Sequence, residues 1–397
     1  MIWHRVRPKS YRWVKWIYLL WLISLLIILA LYLIGQGELF ARYLPYFVIA
    51  GIAIIVFRVL IHRIKKTTRL IHRHIVENEL CEMEYIGRKV VYHFFPRVTW
   101  KVDKRNNTFR IRFVHSGRRN FNYRDLEAEL QDRFQVQCLN TFEERKYMEY
   151  IFENKEEKQM IINSKEDIKG EVGETSISFS QSLVWDWKKH PHFIVVGTTG
   201  SGKTTFIKYM VSTLMKQGVD IYYFDVKRDD EMEKFCKGNA SVHYAYEAQA
   251  ISKKLDEIMI QLATRGKKSD DNKPIYVIAD EIIALKLLLP KKDYEAILNK
   301  INAIVVSGRS KQIFCAMVSQ SALAEYFGNS GFRNNFGLLV SLGQMSEEEN
   351  GMIFGKRFST VKNCMYDKIG SGLIKRKQSD SRPRGFLAPY VKDGVLN

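Results

Sequence analysis

Residues 191–205 read Pro191-His192-Phe193-Ile194-Val195-Val196-Gly197-Thr198-Thr199-Gly200-Ser201-Gly202-Lys203-Thr204-Thr205. A short apolar strand runs straight into GxxxxGK[ST], and the pattern then turns helical. A polyphosphate needs a loop whose backbone N–H groups point inward. Glycines reach the dihedrals this requires, and a helix N-terminus stabilises the negative charge. The spacing therefore assigns Gly197, Thr198, Thr199, Gly200, Ser201, Gly202, Lys203, Thr204 and Thr205 to nucleotide binding. Lys203 would neutralise the β- and γ-phosphates of ATP, and Thr204 would ligate Mg²⁺ through its hydroxyl.

A partner for the loop lies downstream. The apolar run 275–279 delivers Asp280 and Glu281 at its end, and open α/β sheets bind ligands at the C-terminal edges of their strands. Asp280 is expected to hold the Mg²⁺ shell, and Glu281 to orient or deprotonate the attacking water. Two such acids make a Walker-B motif, and the second favours hydrolysis over binding alone. Further apolar strands at 193–196, 221–224, 313–318 and 338–342 alternate with helical patterns. That alternation predicts an α/β fold with a parallel sheet, a RecA-like P-loop ATPase core over 176–397.

The N-terminal part reads differently. Residues 14–34 and 43–61 are almost wholly apolar, each about long enough to span a bilayer as a helix. Of the 19 excess positive charges on the 397-residue chain, 11 fall within residues 1–74, leaving 8 for the rest. Nearly all of them flank the two apolar runs on their outer sides, with Lys15 and Arg58 inside the runs near their outer ends. The positive-inside rule then predicts a multi-pass cell-membrane protein, with the N-terminus and everything after residue 62 in the cytoplasm. Trp13, Trp16, Tyr18 and Tyr43 fall near the expected interfaces.

Between anchor and motor, residues 75–170 read as a small α/β module. Strand-like runs occupy 90–95, 98–102 and 109–114, a helical pattern covers 123–134, and 104–107 forms a hairpin turn. Arg118, Arg119 and Arg124 are either nucleic-acid contacts or a solvated face. Residues 152–175 read as a connecting segment. The five cysteines, Cys81, Cys138, Cys236, Cys315 and Cys364, lack metal-ligand spacing, and Cys315 reads as a small core residue. His192 is expected to pack or hydrogen-bond at the strand entrance. Trp185 and Trp187 either stack adenine or lie in a half-buried strand.

The stretch from Pro191-His192 through the TTGSGK core resembles the phosphate loop of FtsK/SpoIIIE-type DNA translocases. Asp225-Val-Lys227, the helix near 257–265, Ser307-Gly-Arg309, Val318-Ser-Gln320 and the glycine turn at Gly370 and Gly372 match further family elements in order. The resemblance covers about 176–391. It implies that Gln320 senses the γ-phosphate and that Arg309 or Arg333 serves a neighbour's nucleotide in trans, which requires a homo-oligomer, for this family a hexameric ring. The chain ends soon after the motor and has two spans, with no winged-helix module expected. In this it is similar to the compact FtsK-like coupling proteins of Gram-positive conjugative plasmids and integrative elements. The expected partners are DNA, the membrane, and a relaxase or secretion-channel proteins. Lys286, Lys291 and Lys292 are candidates for phosphate-backbone contacts, or a solvated loop. Two alternatives are a protein-secretion ATPase of the same superfamily and a nucleotide-regulated scaffold that recruits a relaxase.

Overall fold

The computed structural model describes residues 4–6, 23, 30, 37–86, 89–115, 123, 126–154, 158–266, 272–322, 330–361, 368–392 and 394–396. The chain divides into two compact units, Met1–Val136 with Phe142–Asn154, and Gln137–Thr141 with Lys155–Asn397.

In the first unit, β1 (His4–Arg5) is followed by the 41-residue helix α1 (Gly37–Glu77). Ile71, His74 and Ile75, near its C-terminal end, are fully buried. Farther up, Tyr46, Ile49, Ile52 and Val56 recur at helical spacing and remain between 52% and 71% exposed. Apart from residues 23 and 30, the expected span 14–34 lies outside the described residues, and 43–61 lies within α1. Among the described residues, no helix is long and apolar enough to cross a membrane.

A hairpin of β2 (Glu82–Ile86) and β3 (Lys89–Phe94) follows. The main sheet of this unit also contains β4 (Val98–Asp103), β5 (Thr108–Val114), β6 (Cys138–Glu144) and β7 (Tyr147–Glu153), in the order β1-β4-β5-β7-β6, with α2 (Glu127–Phe134) between β5 and β6. The expected turn at 104–107 is present. The Asp103 carboxylate accepts from the Arg105 and Asn106 amides at 3.1 and 3.3 Å, and Asn107 adopts φ 48°. Strands β6 and β7 were not expected from sequence. Arg118, Arg119 and Arg124 lie outside the described residues.

The second unit begins earlier than the expected boundary near residue 170. Ile162 and Ile168, within the stretch read as a connecting segment, are 1% and 2% exposed and belong to the motor's core. Glu and Lys dominate the average composition there, which hides a few isoleucines that bury. The short strand β8 (Ile161–Ile162) and the ribbon of β9 (Ser176–Ser178) and β10 (Val184–Asp186) precede β11 (Phe193–Gly197). Thereafter come α3 (Lys203–Lys216), β12 (Asp220–Asp225), α4 (Asp230–Lys237), β13 (Val242–Ala245), α5 (Ala248–Thr264) and β14 (Ile275–Asp280). The short α6 (Leu285–Leu288) and then α7 (Lys291–Ser307) lead to β15 (Ile313–Ser319), α8 (Ser330–Arg333) and β16 (Leu338–Leu342). The unit closes with α9 (Glu347–Phe354), β17 (Ser371–Arg376), β18 (Arg384–Leu387) and β19 (Tyr390–Val391).

Eight strands form one sheet in the order β13-β12-β14-β15-β11-β16-β17-β18. The first six are parallel, and β17 and β18 are antiparallel additions. Strands β11, β15 and β16 are buried at every residue, as expected where helices cover both faces of a parallel sheet. One face packs α3, α4 and the Trp185 and Trp187 rings, and the other packs α5 and α7. The phosphate-loop strand β11 is separated from the acid-bearing β14 by β15 alone.

At Gly372, which pairs with Leu342 across β16 and β17, a Cβ would stand 1.9 Å from the Ser341 carbonyl oxygen. Gly372→Ala is expected to lower stability by about 2 kcal/mol or more through forced strand separation, read as a lower denaturation midpoint.

Candidate functional site

The phosphate loop connects the end of β11 to the start of α3. Gly200 (φ 78°) and Gly202 (φ 89°) take the left-handed conformations the sequence implied. Gly202 caps the helix, and the Ser201 amide donates to the Thr198 carbonyl at 3.1 Å. Thr198, Thr199 and Gly200 are exposed at the loop's tip. The expected glycine turn stands directly behind the loop. The Gly370 amide donates to the Ser201 carbonyl at 2.9 Å, and a Cβ on Gly202 would meet Gly370 N and Ile369 Cγ2, each at 3.2 Å. Gly343 (φ 78°), after β16, closes the other side, with Thr198 Oγ1 3.0 Å from where its Cβ would sit. The Ser201 hydroxyl is buried without a hydrogen-bond partner among the described residues. An orphaned hydroxyl inside a glycine cradle at a helix N-terminus fits an oxygen-rich anion.

The acids stand where expected, at the C-terminal edge of β14. Glu281 adopts φ 52°, a left-handed conformation that costs an L-residue about 1–2 kcal/mol. Its amide donates to the Val318 carbonyl at 3.0 Å, and its Oε1 accepts from the Gln320 amide at 2.5 Å. These two bonds tie the ends of β14 and β15 together and aim the carboxylate at the loop. The same Oε1 lies 3.4 Å from Lys203 Nζ and 3.7 Å from Lys227 Nζ. The Lys203 and Glu281 side chains are only 12% and 8% exposed.

Asp280 accepts a hydrogen bond from the Tyr223 hydroxyl at 2.6 Å. Desolvation pushes its carboxyl up to about 6, against the pull of Tyr223 and Lys203, while Asp225 and Glu281 add to the rise. Asp225 is the strand neighbour of Asp280. It accepts from the Arg228 and Asp229 amides at 3.0 and 2.8 Å and from the Tyr244 hydroxyl at 3.1 Å. Burial raises its carboxyl too.

The structure thus brings the phosphate loop, Lys203, Asp280, Glu281 and Gln320 to one edge. It does not bring Arg309 there. Arg309 is exposed on the turn before β15, at the opposite edge of the sheet, and the seven residues of β15 at about 3.3 Å each put roughly 20 Å between. Arg333 likewise precedes β16, and its guanidinium is tied to the Met352 carbonyl. Lys291 pairs loosely with Glu295 at 3.8 Å, and Lys291 and Lys292 lie exposed in the first turn of α7.

Trp185 and Trp187 are 0% and 1% exposed. Their indole N–H groups donate to the His190 carbonyl and Gln217 Oε1 at 2.9 and 2.6 Å, so they are core residues and not adenine stackers. His192 Nδ1 accepts from the Cys315 amide at 2.9 Å, joining the entrances of β11 and β15. Burial pushes its ring down to about 4, so it is neutral at pH 7. Cys315 is fully buried.

Sequence reasoning missed Tyr223, Tyr244 and the part played by Lys227 and Asp225. The last two were visible only as a matching tripeptide. The tyrosines read as strand hydrophobes, with nothing in their spacing to mark a hydroxyl facing a carboxylate.

Asp280 must be ionised to attract a cation. Its raised value means the folded chain holds this proton up to about pH 6, so folding loses stability as pH climbs through that range, and cation-dependent activity falls as pH drops through it. Tyr223→Phe removes a group that lowers the value. The acid limb of ATP hydrolysis should move to higher pH, with activity roughly five- to tenfold lower at pH 6 and little changed at pH 8. An unmoved limb would detach Tyr223 from Asp280's chemistry.

Residues 153–259 match the family model described as the FtsK/SpoIIIE family. The match contains the phosphate loop, Tyr223, Asp225 and Lys227, and stops short of Asp280 and Glu281, whose assignment rests on geometry. Ftsk domain-containing protein YdcQ of Bacillus subtilis (strain 168) is 25% identical over 334 residues, 79% of this chain and 66% of that protein. DNA import protein CedB of Sulfolobus acidocaldarius is 32% identical over 110 residues, 27% of this chain and 16% of that protein. The chain therefore spans less than two thirds of the length of either relative. The pCW3 conjugation coupling protein TcpA, solved in monomer form with ATPγS, superimposes with a TM-score of 0.51 at 18% identity, over 75% of this chain and 90% of that one. At that identity the likeness is one of fold. Residues 153–259 thus carry an FtsK/SpoIIIE-type domain, and the loop and the acids beside it form a P-loop nucleotide site.

Proposed function

We propose that this ATPase is a membrane-anchored DNA translocase that works as a ring, as a hexamer by family resemblance, and delivers DNA to a conjugation channel. The observation that carries the motor reading is the Glu281 carboxylate, aimed by the Gln320 amide and within 3.4 Å of the phosphate-loop lysine. A motor needs turnover, and a carboxylate held at that edge is the group that takes the proton of an attacking water. Lys203 would bind the β- and γ-phosphates and stabilise the charge that develops on them. Thr204 and Asp280 would hold Mg²⁺, which supplies charge neutralisation to the transferring phosphoryl group. Among the described residues no three His, Cys, Asp or Glu side chains converge on a metal. That suits an ion shared between one hydroxyl, one carboxylate and the phosphates. The Gln320 side chain, partly exposed at the same edge, would sense the γ-phosphate. Arg309, exposed at the opposite edge, would act only on a neighbouring subunit's nucleotide.

DNA as cargo is supported by the names of two relatives, a DNA import protein and a conjugation coupling protein. The 8 excess positive charges beyond residue 74 suit backbone contacts without base readout. Two apolar runs with basic flanks, and the exposed stripe Tyr46, Ile49, Ile52 and Val56 on α1, support the anchor, with the motor on the cytoplasmic side. A relaxase or channel proteins would be its partners.

The test is ATP hydrolysis by the full chain in detergent at low salt, with and without double- and single-stranded DNA. Stimulation of about tenfold or more is expected, steeply lost with added salt and absent in Lys203→Ala. Turnover indifferent to either DNA form would overturn the translocase reading in favour of protein cargo or of a relaxase-recruiting scaffold.

A further inference from the structure

The chain leaves the end of β12 through a turn, Asp225-Val226-Lys227-Arg228, closed by the Arg228 amide donating to the Asp225 carbonyl at 3.3 Å. The Asp225 carboxylate braces this turn through the Arg228 and Asp229 amides. The Val226 amide donates to the Asp280 carbonyl at 3.4 Å, tying the turn to the strand end that carries Glu281. The two basic residues of the turn then part. Arg228 adopts φ 55°, and its guanidinium pairs with Glu233 on α4 at 3.1 Å and lies 4.5 Å from the centre of the Tyr246 ring. Lys227 is the one that reaches the acids, with Nζ 3.7 Å from Glu281 Oε1 and its side chain 46% exposed. Among the described residues it makes no other ion pair.

The contacts of Glu281 are one-sided. The Gln320 amide, Lys203 and Lys227 all converge on Oε1, and among the described residues no polar contact falls on Oε2. Oε2 is therefore the oxygen placed to take a proton as a water O–H bond breaks and its electron pair forms the bond to the γ-phosphorus, with the β-phosphate oxygen of ADP leaving. The two lysines differ in what else claims them. Lys203 opens α3 at the phosphate loop, and a triphosphate, carrying several negative charges, attracts it more strongly than one carboxylate can. Lys227 comes from outside the loop and has no such second claim. Once Lys203 turns to phosphate, the charges left around Glu281 are Asp280, Asp225 and the phosphates, all negative, with Lys227 the remaining cation. Like charges at that range disfavour a carboxylate held among them. The Gln320 amide fixes Oε1 but carries no net charge to offset them.

We infer that Lys227 is a positioning residue for ATP hydrolysis, holding Oε1 of Glu281 during turnover while Lys203 serves the phosphates, so that Oε2 faces the attacking water. The inference rests on the reading of Glu281 as the base. Steady-state hydrolysis and ATP binding are measured on the full chain in detergent for Lys227→Met and Lys227→Arg, each also combined with Glu281→Gln. Lys227→Met should lower kcat about tenfold or more with ATP affinity within twofold of the parent protein, the pattern of an interaction that matters after binding. Lys227→Arg, which keeps the charge and the reach, should retain at least a third of kcat. In the Glu281→Gln background Lys227→Met should cost less than twofold further, because its effect passes through that carboxylate. An unchanged kcat in Lys227→Met, a parallel loss of kcat and affinity that arginine does not relieve, or a full additional loss in the Glu281→Gln background would overturn the inference. Glu281→Gln turning over like the parent protein would instead remove the base reading on which it stands.

Discussion

Asp225, Asp280 and Glu281 lie at the C-terminal ends of two neighbouring strands, near enough for Asp225 and Glu281 both to raise Asp280, and everything at this site depends on how their charge is managed. Three carboxylates so close, two of them desolvated enough to be pushed upward, would repel one another unless each had its own donors. Asp225 is satisfied by two amides and Tyr244, Asp280 by Tyr223, and Glu281 by the Gln320 amide and two lysines. One of those lysines is the phosphate-loop Lys203. The cation that binds phosphate therefore also compensates the acid that handles water, which links nucleotide binding to the position of Glu281.

The sheet order makes that linkage possible. With β15 alone between β11 and β14, the loop and the acids are two strands apart, about 10 Å at the usual spacing. Long side chains span that gap from both sides. The intervening strand contributes Gln320 at its tip, and the left-handed turn at Glu281 lets its amide and carboxylate both bond to the end of that strand. Around the loop, a side chain at Gly343 would crowd Thr198 and Ser201, and one at Gly202 would crowd Gly370 and Ile369.

Much of this was legible because the signals are short-range. The loop pattern, the apolar strands that carry it and the two adjacent acids are each a few residues long, and every strand expected in the motor from sequence is present. What escaped reading is what depends on distant pairing. The β8–β19 pair joins segments more than 200 residues apart, the burial of Ile162 and Ile168 hides in polar composition, and β17 and β18, a local hairpin, escaped because Gly370 and Gly372 read as a turn. The tyrosine hydroxyls that steady Asp225 and Asp280 are of the same kind, since a strand's alternation does not say which aromatic faces a carboxylate. Arg309 could be placed on a turn by its sequence, but only the sheet's direction puts it at the edge away from this chain's own loop.

The account's central claim is that Glu281 acts on the attacking water while Lys203 and the loop bind the triphosphate. Glu281→Gln keeps the side chain's length and its acceptor for the Gln320 amide while removing the base. Turnover measured beside ATP binding should fall at least a hundredfold, consistent with the usual worth of general-base catalysis, with affinity for ATP kept or improved. Hydrolysis unchanged in this variant would contradict the role given to Glu281 and the charge linkage built around it.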